Sequence, residues 1–338
     1  MINVQYKLIT PLSIESYCEN LDLEPNRILV KPKMLSICKA DLRYYFGMRD
    51  AKVLKQRLPL TLIHEACGSV LYDKSGKFEV GEKVILLPNI PGEESDIEEN
   101  YRLDSLFRSS RADGFMQEMV SLPDSQIVSY KDVDDELAAI TEFVSVGVHA
   151  INSFMKKMKK TPKHIAVWGD GAMGYVVCSL LKHYLPSTKI TIIGKHRNKL
   201  DMFQFVEEQM TIDEVGTEVR YDAAFECTGG RGTQYALSQV IDVLEPESVV
   251  MLLGVSEEPV PINTRMVLEK GLILYGRSRS TRQDFIDAVS IMGTDKRLAR
   301  RLALLVSEVK MIRDINDIHH AFQESRIVDY KMVMDWRL

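Results

Sequence analysis

An alternation of apolar segments and helical stretches between residues 164 and 276 constrains the fold most strongly. The apolar segments are almost unbroken by polar residues, as strands are when helices cover both faces of a parallel sheet. These segments are HIAVWG, KITIIG, AAFECTG, SVVMLLG and LILYG. Helices are expected between them at 175–184, 198–209 and 233–243. The pattern predicts the α/β class, with a doubly wound Rossmann sheet.

A glycine motif follows the first of these strands and opens the first helix. Gly169, Gly171 and Gly174 fit the spacing G-x-G-x-x-G. In this context the first glycine permits a tight turn, the second lets backbone approach a pyrophosphate, and the third lets helix and strand pack closely. The motif therefore predicts dinucleotide binding, and the alternative is an ordinary glycine-rich turn.

The end of the second strand indicates which dinucleotide is bound. An acidic residue there would accept hydrogen bonds from the ribose hydroxyls of NAD, but this chain has Gly194. Lys195, His196 and Arg197 follow, and three basic side chains suit a 2′-phosphate. We expect NADPH/NADP⁺ as the cofactor. The alternative is that these residues are a solvated, basic helix start.

The remaining chain is organised differently. Residues 1–145 contain short β-like runs and a loop-rich excursion at about 89–113, which predicts a mainly antiparallel β domain. Residues 281–338 contain an amphipathic helix, a second helix over KRLARRLALLVSEV and a closing strand KMVMDW. We expect this tail to rejoin the first domain. The predicted domains are thus 1–145 and 281–338 for catalysis and 146–280 for the cofactor, which agrees with the two domains that 338 residues suggest at roughly 150 residues per domain.

Composition excludes several classes of protein. The 43 Lys and Arg against 48 Asp and Glu leave no positive field for a nucleic acid. We expect no membrane segment and no signal peptide, because no apolar stretch is long enough. Five cysteines at irregular spacing predict reduced thiols in the cytoplasm. They are Cys18, Cys38, Cys67, Cys178 and Cys227, and all except Cys38 are expected to be core thiols.

Four residues outside the cofactor region could bind a metal. Cys38 ends a predicted strand, His64 and Glu65 precede another, and Glu142 begins a helix. A thiolate, an imidazole and a carboxylate together suit tetrahedral zinc with one position left for water or substrate. Each residue alone has an ordinary explanation as a core thiol, a hydrogen-bonded histidine or a helix-start acid.

Several segments, in this order, resemble the zinc-dependent medium-chain alcohol and polyol dehydrogenases. They are CKAD (38–41), LPLTLIHEACGSV (58–70), FEVGEKVILLP (78–88), TEFVSVGVHAI (141–151) and VWGDGAMG (167–174). When the segments CKADLRYYFGMR, AFECTGG and YGRSRSTRQDF are included, the chain most resembles the bacterial ribulose-5-phosphate reductases within this superfamily. The resemblance implies a GroES-like catalytic domain beside the Rossmann domain.

The resemblance also implies a catalytic zinc held by Cys38, His64 and a glutamate. Glu142 matches the ligand position of polyol dehydrogenases, while Glu65 would ligate in some states or support the site. Because 89–113 contains no cysteine, we expect one zinc per chain and no structural zinc. Ala40 stands where the family usually has a hydroxyl that relays protons. Tyr44 is the candidate replacement, with Tyr45, Asp41 or metal-bound water as alternatives.

The activity that the resemblance implies is NADPH-dependent reduction of D-ribulose 5-phosphate to D-ribitol 5-phosphate. This product supplies CDP-ribitol for teichoic acid or capsule, which suggests a cytidylyltransferase as a working partner. A homodimer is expected. Basic residues available for the substrate phosphate are Lys39, Arg43, Arg49, Arg277 and Arg279. The alternatives are a zinc polyol dehydrogenase acting on an unphosphorylated sugar alcohol and a non-catalytic dinucleotide-binding protein.

Overall fold

A computed structural model describes residues 1–21, 24 and 26–338 of the chain. The chain forms two compact units. Unit 1 comprises Met1–Ser145 and Arg279–Leu338, and unit 2 comprises Val146–Ser278. Within the described residues no helix combines the length and apolar character needed to cross a bilayer.

The first segment of unit 1 consists mostly of short strands. They are β1 (Ile2–Thr10), β2 (Ser13–Asn20), β3 (Arg27–Ser36), β4 (Leu60–Thr61), β5 (Glu65–Asp73), β6 (Lys83–Leu86), β7 (Asn89–Ile90), β8 (Leu106–Phe107), β9 (Val120–Pro123) and β10 (Ile127–Ser129). Three short helices accompany them, α1 (Lys39–Tyr45), α2 (Ala51–Arg57) and α3 (Asp135–Ala139). The pairings of β3 with β5 and of β5 with β6 are antiparallel, as the sequence predicts.

Unit 2 contains a parallel sheet in the order β13-β12-β11-β14-β15-β16. Its strands are β11 (His164–Trp168), β12 (Lys189–Gly194), β13 (Glu208–Thr211), β14 (Tyr221–Glu226), β15 (Leu244–Leu252) and β16 (Ile273–Gly276). The helices are α4 (Thr141–Lys157), which begins in unit 1, α5 (Ala172–Tyr184), α6 (Arg197–Leu200), α7 (Thr233–Val243) and α8 (Thr264–Lys270). From β11 the chain adds β12 and β13 on one side and then β14 on the other, so the strand order reverses beside β11. Sheets of this kind bind ligands at the carboxyl ends of the strands where the order reverses.

The last segment returns to unit 1. Its elements are α9 (Arg282–Thr294), α10 (Lys296–Ala303), β17 (Val306–Ile312), α11 (Ile315–Glu324) and β18 (Lys331–Trp336). Strand β18 pairs with β3 on one side and β17 on the other, which extends the sheet to β10-β6-β5-β3-β18-β17, with β9 also on β3. Trp336 and Phe322 are fully buried among the side chains of the first segment. This pairing brings the end of the chain beside the strand that precedes Cys38.

Three sequence predictions were wrong. The helix expected over 198–209 ends at Leu200, and Glu208–Thr211 is strand β13, because its backbone pairs with β12. The helix expected over KRLARRLALLVSEV ends at Ala303, because the following residues pair with β18 as β17. Cys18 is an exposed thiol instead of a core one, because β2 is an edge strand that exposes six of its eight residues.

Candidate functional site

Cys38, His64 and Glu65 converge in unit 1. One possible ligand atom of each lies within 4.8 Å of the other two. Cys38 lies between β3 and α1, while His64 and Glu65 lie at the junction of β4 and β5. Because β3 and β5 are antiparallel neighbours, the end of one strand meets the start of the other. We call these three residues, with Glu142 beside them, the ligand cluster.

Glu65 is held by two buried partners. It lies opposite Ser36 in the β3–β5 register, and the Ser36 hydroxyl donates to Glu65 Oε2 at 2.7 Å. The Lys331 ammonium, at the start of β18, donates to Glu65 Oε1 at 2.5 Å. Glu65 is fully buried and Lys331 is 5% exposed, so this is an ion pair inside the protein. Lys331 Nζ also lies 4.2 Å from the centre of the Phe143 ring, which adds a cation–π contact.

His64 follows a residue in an unusual conformation. Ile63 has a φ of 71°, in the left-handed region that β-branched residues avoid. Its amide donates to Asp41 Oδ1 at 3.1 Å, and its carbonyl accepts from the Phe115 amide at 2.7 Å. Such a conformation persists only where the surroundings hold it. Here it turns the chain between β4 and β5, where the His64 imidazole joins the cluster.

Asp41 lies on the other side of the imidazole. His64 Nδ1 is 3.5 Å from Asp41 Oδ1, and the Ser109 hydroxyl and the Cys38 amide also donate to this carboxylate. Burial would lower the pKa of His64, but the charges of Asp41 and Cys38 outweigh it and place the pKa well above the ordinary value. Burial would raise the pKa of Asp41, but His64 and the hydrogen bonds lower it. Asp41 thus orients the histidine.

Glu142 lies beside the three converging residues in the first turn of α4. It is 7% exposed, and burial raises the pKa of its carboxyl above the ordinary range. The charge of His64 opposes this rise and the charge of Glu65 adds to it. Glu142 is outside the set of atoms that lie within 4.8 Å of one another. Its carboxylate is nevertheless close enough to interact with the charges of the cluster.

In unit 2 the glycine motif forms a tight turn between β11 and α5. Gly169 has a φ of 121°, which favours glycine. A Cβ on Gly174 would lie 1.9 Å from the Gly169 carbonyl oxygen, so only glycine fits there. A Cβ on Gly171 would meet nothing within 4 Å. The space beside Gly171, at the N-terminus of α5, could hold a pyrophosphate.

The three basic residues after β12 have different surroundings. The His196 imidazole is 3.0 Å from Asp170 Oδ2, and the Arg197 guanidinium donates to Glu214 at 2.6 Å. Lys195 is exposed and has no ion-pair partner among the described residues. Asp170 Oδ2 also accepts from the Lys195 and His196 amides at 2.9 and 2.7 Å. The basic turn, residues 195–197, is therefore tied to the glycine turn, residues 169–174, through one carboxylate.

Comparison with known proteins places the chain in a family. Residues 24–132 match the family of the alcohol dehydrogenase GroES-like domain. A ribulose-5-phosphate reductase from Streptococcus pneumoniae is 42% identical, over 100% of this chain and 98% of the relative. Ribulose-5-phosphate reductase 1 from Staphylococcus aureus is 43% identical over 99% of each. This chain belongs to the ribulose-5-phosphate reductase family.

A solved structure from the same family supports the fold. The crystal structure of S. aureus TarJ in complex with NADPH has a TM-score of 0.90 and 39% identity, and the match covers 100% of both chains. The prediction of a GroES-like β domain with a Rossmann sheet is confirmed. Cys38, His64 and Glu65 lie within the residues that match the GroES-like domain, and the glycine turn lies in unit 2, which contains the parallel sheet.

The candidates for proton transfer lie in or near the core. Tyr44 is 3% exposed, and the Arg49 guanidinium lies 5.1 Å from the centre of its ring. The Tyr45 hydroxyl is 2.6 Å from His319 Nδ1, and its ring stacks on Phe322. Tyr45 is therefore engaged in packing α1 against α11. Tyr44 as the proton donor of this family member stays a prediction.

Sequence reasoning missed Lys331, Ser36 and the carboxylate of Asp170. Lys331 is separated from Glu65 by 266 positions, so no local pattern connects the two. Asp170 is one of the variable positions of the glycine motif, and its carboxylate lies beside Gly194: a Cβ on Gly194 would be 2.6 Å from the Asp170 Cβ. An acidic group is thus present at the end of β12, although it comes from the glycine turn.

Proposed function

We propose that this protein reduces D-ribulose 5-phosphate to D-ribitol 5-phosphate with NADPH, using one catalytic zinc ion per chain. The observation that carries the proposal is the convergence of Cys38, His64 and Glu65 in the ligand cluster of a chain that matches ribulose-5-phosphate reductases over its whole length. The reaction is an oxidoreduction at a secondary alcohol or its ketone.

The cofactor is held by unit 2. NADPH supplies the hydride when it is bound. The glycine turn offers the cradle beside Gly171, and the N-terminus of α5 directs its amide groups at the pyrophosphate. Gly171, the N-cap residue of α5, has no side chain that could accept hydrogen bonds from those amides. We assign the 2′-phosphate to the basic turn, where Lys195 is available and Asp170 holds the backbone.

The donor set of the ligand cluster fits zinc. Cys38, His64 and a carboxylate are the mixed sulfur, nitrogen and oxygen ligands that this ion accepts. When bound, zinc polarises a carbonyl oxygen and stabilises negative charge that develops on it. Both oxygens of Glu65 already accept hydrogen bonds from buried donors. Glu142 is therefore the carboxylate that can complete the set without breaking a buried pair, and Glu65 supports it.

The other residues of the site position these groups. Asp41 orients His64, and the left-handed Ile63 fixes the chain on which His64 is carried. Lys331 and Ser36 fix Glu65. Phe107 packs against His64 with ring centres 5.3 Å apart, and it excludes water from one side of the imidazole. A preorganised site of this kind does not need to reorganise its dipoles during the reaction.

An assay of NADPH oxidation tests the proposal. Purified protein is mixed with NADPH and either D-ribulose 5-phosphate or free ribulose. In a separate reaction it is mixed with NADP⁺ and a sorbitol-type polyol. Each reaction is run with and without a zinc chelator. We expect turnover of ribulose 5-phosphate that the chelator abolishes and that zinc restores. NADH in place of NADPH should support much slower turnover.

The same assay separates the alternatives. Equal turnover of phosphorylated and free sugars would favour a polyol dehydrogenase. A folded, zinc-free protein that binds NADPH but reduces no ketose would favour a non-catalytic dinucleotide-binding role. A preference for NADH would contradict the assignment of residues 195–197 to a 2′-phosphate.

Location and partners are part of the proposal. We place the protein in the cytoplasm, where reducing conditions keep Cys38 out of disulfides; all five cysteines are free. We propose a homodimer, for which the edge strand β16, with Ile273 42% exposed, is a candidate pairing surface. Light scattering of the purified protein, which measures its mass in solution, tests the homodimer.

A cytidylyltransferase that consumes ribitol 5-phosphate is the expected working partner.

A further inference from the structure

Phe107 connects the ligand cluster with a second group of side chains in unit 1. It ends β8 and lies opposite Asn89 of β7, so both side chains are on the same face of this two-stranded sheet. The His64 ring packs on Phe107, as described above. Asn89 is 7% exposed, and its Oδ1 atom has no hydrogen-bond partner among the described residues. A buried acceptor of this kind requires a donor from a ligand or water.

Arg279 contacts the ring of Phe107. Its guanidinium carbon is 5.1 Å from the centre of the Phe107 ring. Within the described residues its hydrogen bond is one from Nη1 to the Asn100 carbonyl at 3.3 Å, and no carboxylate pairs with it. Arg279 also has a φ of 57°, in the left-handed region. A half-buried arginine in a strained conformation without a carboxylate partner is unusual, and strain of this kind concentrates at functional sites.

A second arginine is close to the first. The Arg111 amide donates to the Phe107 carbonyl at 2.9 Å, and its side chain is exposed, with no acidic partner in the described part of the chain. Burial and the positive charge of Arg111 both lower the pKa of Arg279. Two guanidinium groups that repel each other are stabilised by an anion bound between them. We call Arg111 and Arg279 the arginine pair.

The loop that carries Arg111 is anchored to the ligand cluster. The Ser109 hydroxyl donates to Asp41, which orients His64. Ser109 has a φ of 61°, and its amide donates to the Ala112 carbonyl at 2.8 Å, so the loop turns back tightly. The loop and the imidazole are therefore held by the same carboxylate. An anion on the arginine pair would be at a fixed distance from any group bound at the ligand cluster.

We propose that the arginine pair, Arg111 and Arg279, binds the phosphate of the sugar-phosphate substrate while its carbonyl end lies at the ligand cluster. This inference rests on the proposed function. In ribulose 5-phosphate the phosphate is at the far end of the pentulose chain from the carbonyl, and His64 of the cluster and Arg279 of the pair both contact Phe107. The planar guanidinium of Arg279 can donate two parallel hydrogen bonds to phosphate oxygens. Asn89 Oδ1 is available to accept from a sugar hydroxyl.

The other basic candidates are less suitable. Arg49 lies over the Tyr44 ring in the core. Arg277 belongs to unit 2, where its Nε donates to Ser153 at 2.8 Å and its guanidinium stacks on Tyr275 at 4.0 Å. Lys39 is exposed and makes no side-chain hydrogen bond, ion pair or cation–π contact within the described residues. Arg277 therefore serves as a matched control, because it is an arginine two positions before Arg279.

The test compares Arg279→Gln, Arg279→Lys, Arg111→Gln and the control Arg277→Gln. Each is assayed with NADPH and either ribulose 5-phosphate or free ribulose. For Arg279→Gln we expect kcat/KM for the phosphorylated sugar to fall roughly 10- to 100-fold, mainly through KM, because a charged hydrogen bond to phosphate is lost. The value for free ribulose should change little. Arg279→Lys keeps the charge and should recover part of the loss, and Arg277→Gln should behave like the parent protein.

A second measurement does not depend on turnover. Calorimetry with inorganic phosphate should give weaker binding to Arg279→Gln and to Arg111→Gln than to the parent and to Arg277→Gln. An Arg279→Gln protein that loses activity equally on both sugars, or that binds phosphate as the parent does, would overturn the inference. If the parent reduces no ribulose 5-phosphate, the proposed function fails, and the calorimetry still decides whether the arginine pair binds phosphate.

Discussion

The ligand cluster in unit 1 and the glycine turn in unit 2 differ in how they are assembled. The glycine turn is a continuous run, residues 169–174, shaped by the backbone. The ligand cluster combines Cys38 after β3, His64 and Glu65 at the start of β5 and Glu142 of α4, and its supporting ion pair joins positions 266 apart. The turn offers open space beside Gly171, whereas the cluster offers buried charged groups. Variants of the cluster should therefore have larger effects than variants of the turn.

The largest effect is expected from Cys38→Ala. Removing the thiolate should remove most of the bound zinc and lower kcat/KM about 1000-fold, because several kcal/mol of charge stabilisation at the carbonyl oxygen is lost. Metal analysis and steady-state kinetics measure the two effects. Cys18→Ala is the matched control, because Cys18 is exposed on β2. A Cys38→Ala protein with a full complement of zinc would refute the ligand assignment.

Lys331→Met tests the buried charges of the cluster. It leaves the Glu65 carboxylate buried without its counter-charge, so we expect the free energy of unfolding to fall by about 3–5 kcal/mol. Urea denaturation of metal-stripped protein measures this. The double variant with Glu65→Gln removes both charges and should recover much of the loss. A cost below about 1 kcal/mol for Lys331→Met, the range of exposed pairs, would be inconsistent with a buried pair.

Gly171→Ala tests the space in the glycine turn. Because its Cβ would meet nothing within 4 Å, the melting temperature without cofactor should be close to that of the parent. The Kd for NADPH should rise roughly 10- to 100-fold, because the methyl group would collide with the pyrophosphate. Quenching of tryptophan fluorescence measures this Kd. Gly174→Ala, with its Cβ 1.9 Å from a carbonyl oxygen, should instead destabilise the protein itself. Unchanged NADPH affinity in Gly171→Ala would contradict the cradle.

The smallest effect is expected from Asp170→Ala. It removes the acceptor for the Lys195 and His196 amides, so the basic turn loses its anchor. We expect the preference for NADPH over NADH to fall about 5- to 10-fold, the cost of one or two hydrogen bonds. Asp170→Asn keeps an acceptor and should lose less. A gain in NADPH affinity would show instead that this carboxylate repels the 2′-phosphate.

Local pattern was sufficient for the parallel sheet and its glycine turn. Strands β11, β12 and β14 each contain a short, mostly apolar run, and the turn residues are adjacent in sequence, so neighbouring positions determine the structure. The same kind of pattern failed at 198–209. The residues there fit a helix and a strand about equally well by local pattern. Glu208–Thr211 form a strand because they pair with β12. In the same way, Val306–Ile312 form strand β17 instead of continuing the predicted helix, because they pair with β18.

The ligand cluster was partly accessible from the sequence. Cys38, His64 and Glu65 were selected by chemistry and resemblance, and the structure brings them within 4.8 Å. Lys331 and Ser36, which hold Glu65, could not be selected from the sequence in this way. A lysine at the start of β18 and a serine at the end of β3 are ordinary in sequence, and they matter only because β3 lies between β5 and β18.

The sequence by itself determined the α/β class, the glycine turn and the identity of the candidate ligands, because each depends on residue type and short spacing. Tertiary structure alone decided that Lys331 neutralises Glu65, that Asp170 anchors the basic turn, and that Arg279 covers Phe107 beside His64. The physical reason is that charge pairs and ring contacts act over a few ångströms, whatever their separation in the chain. Strand pairing sets those distances, and it depends on the whole fold.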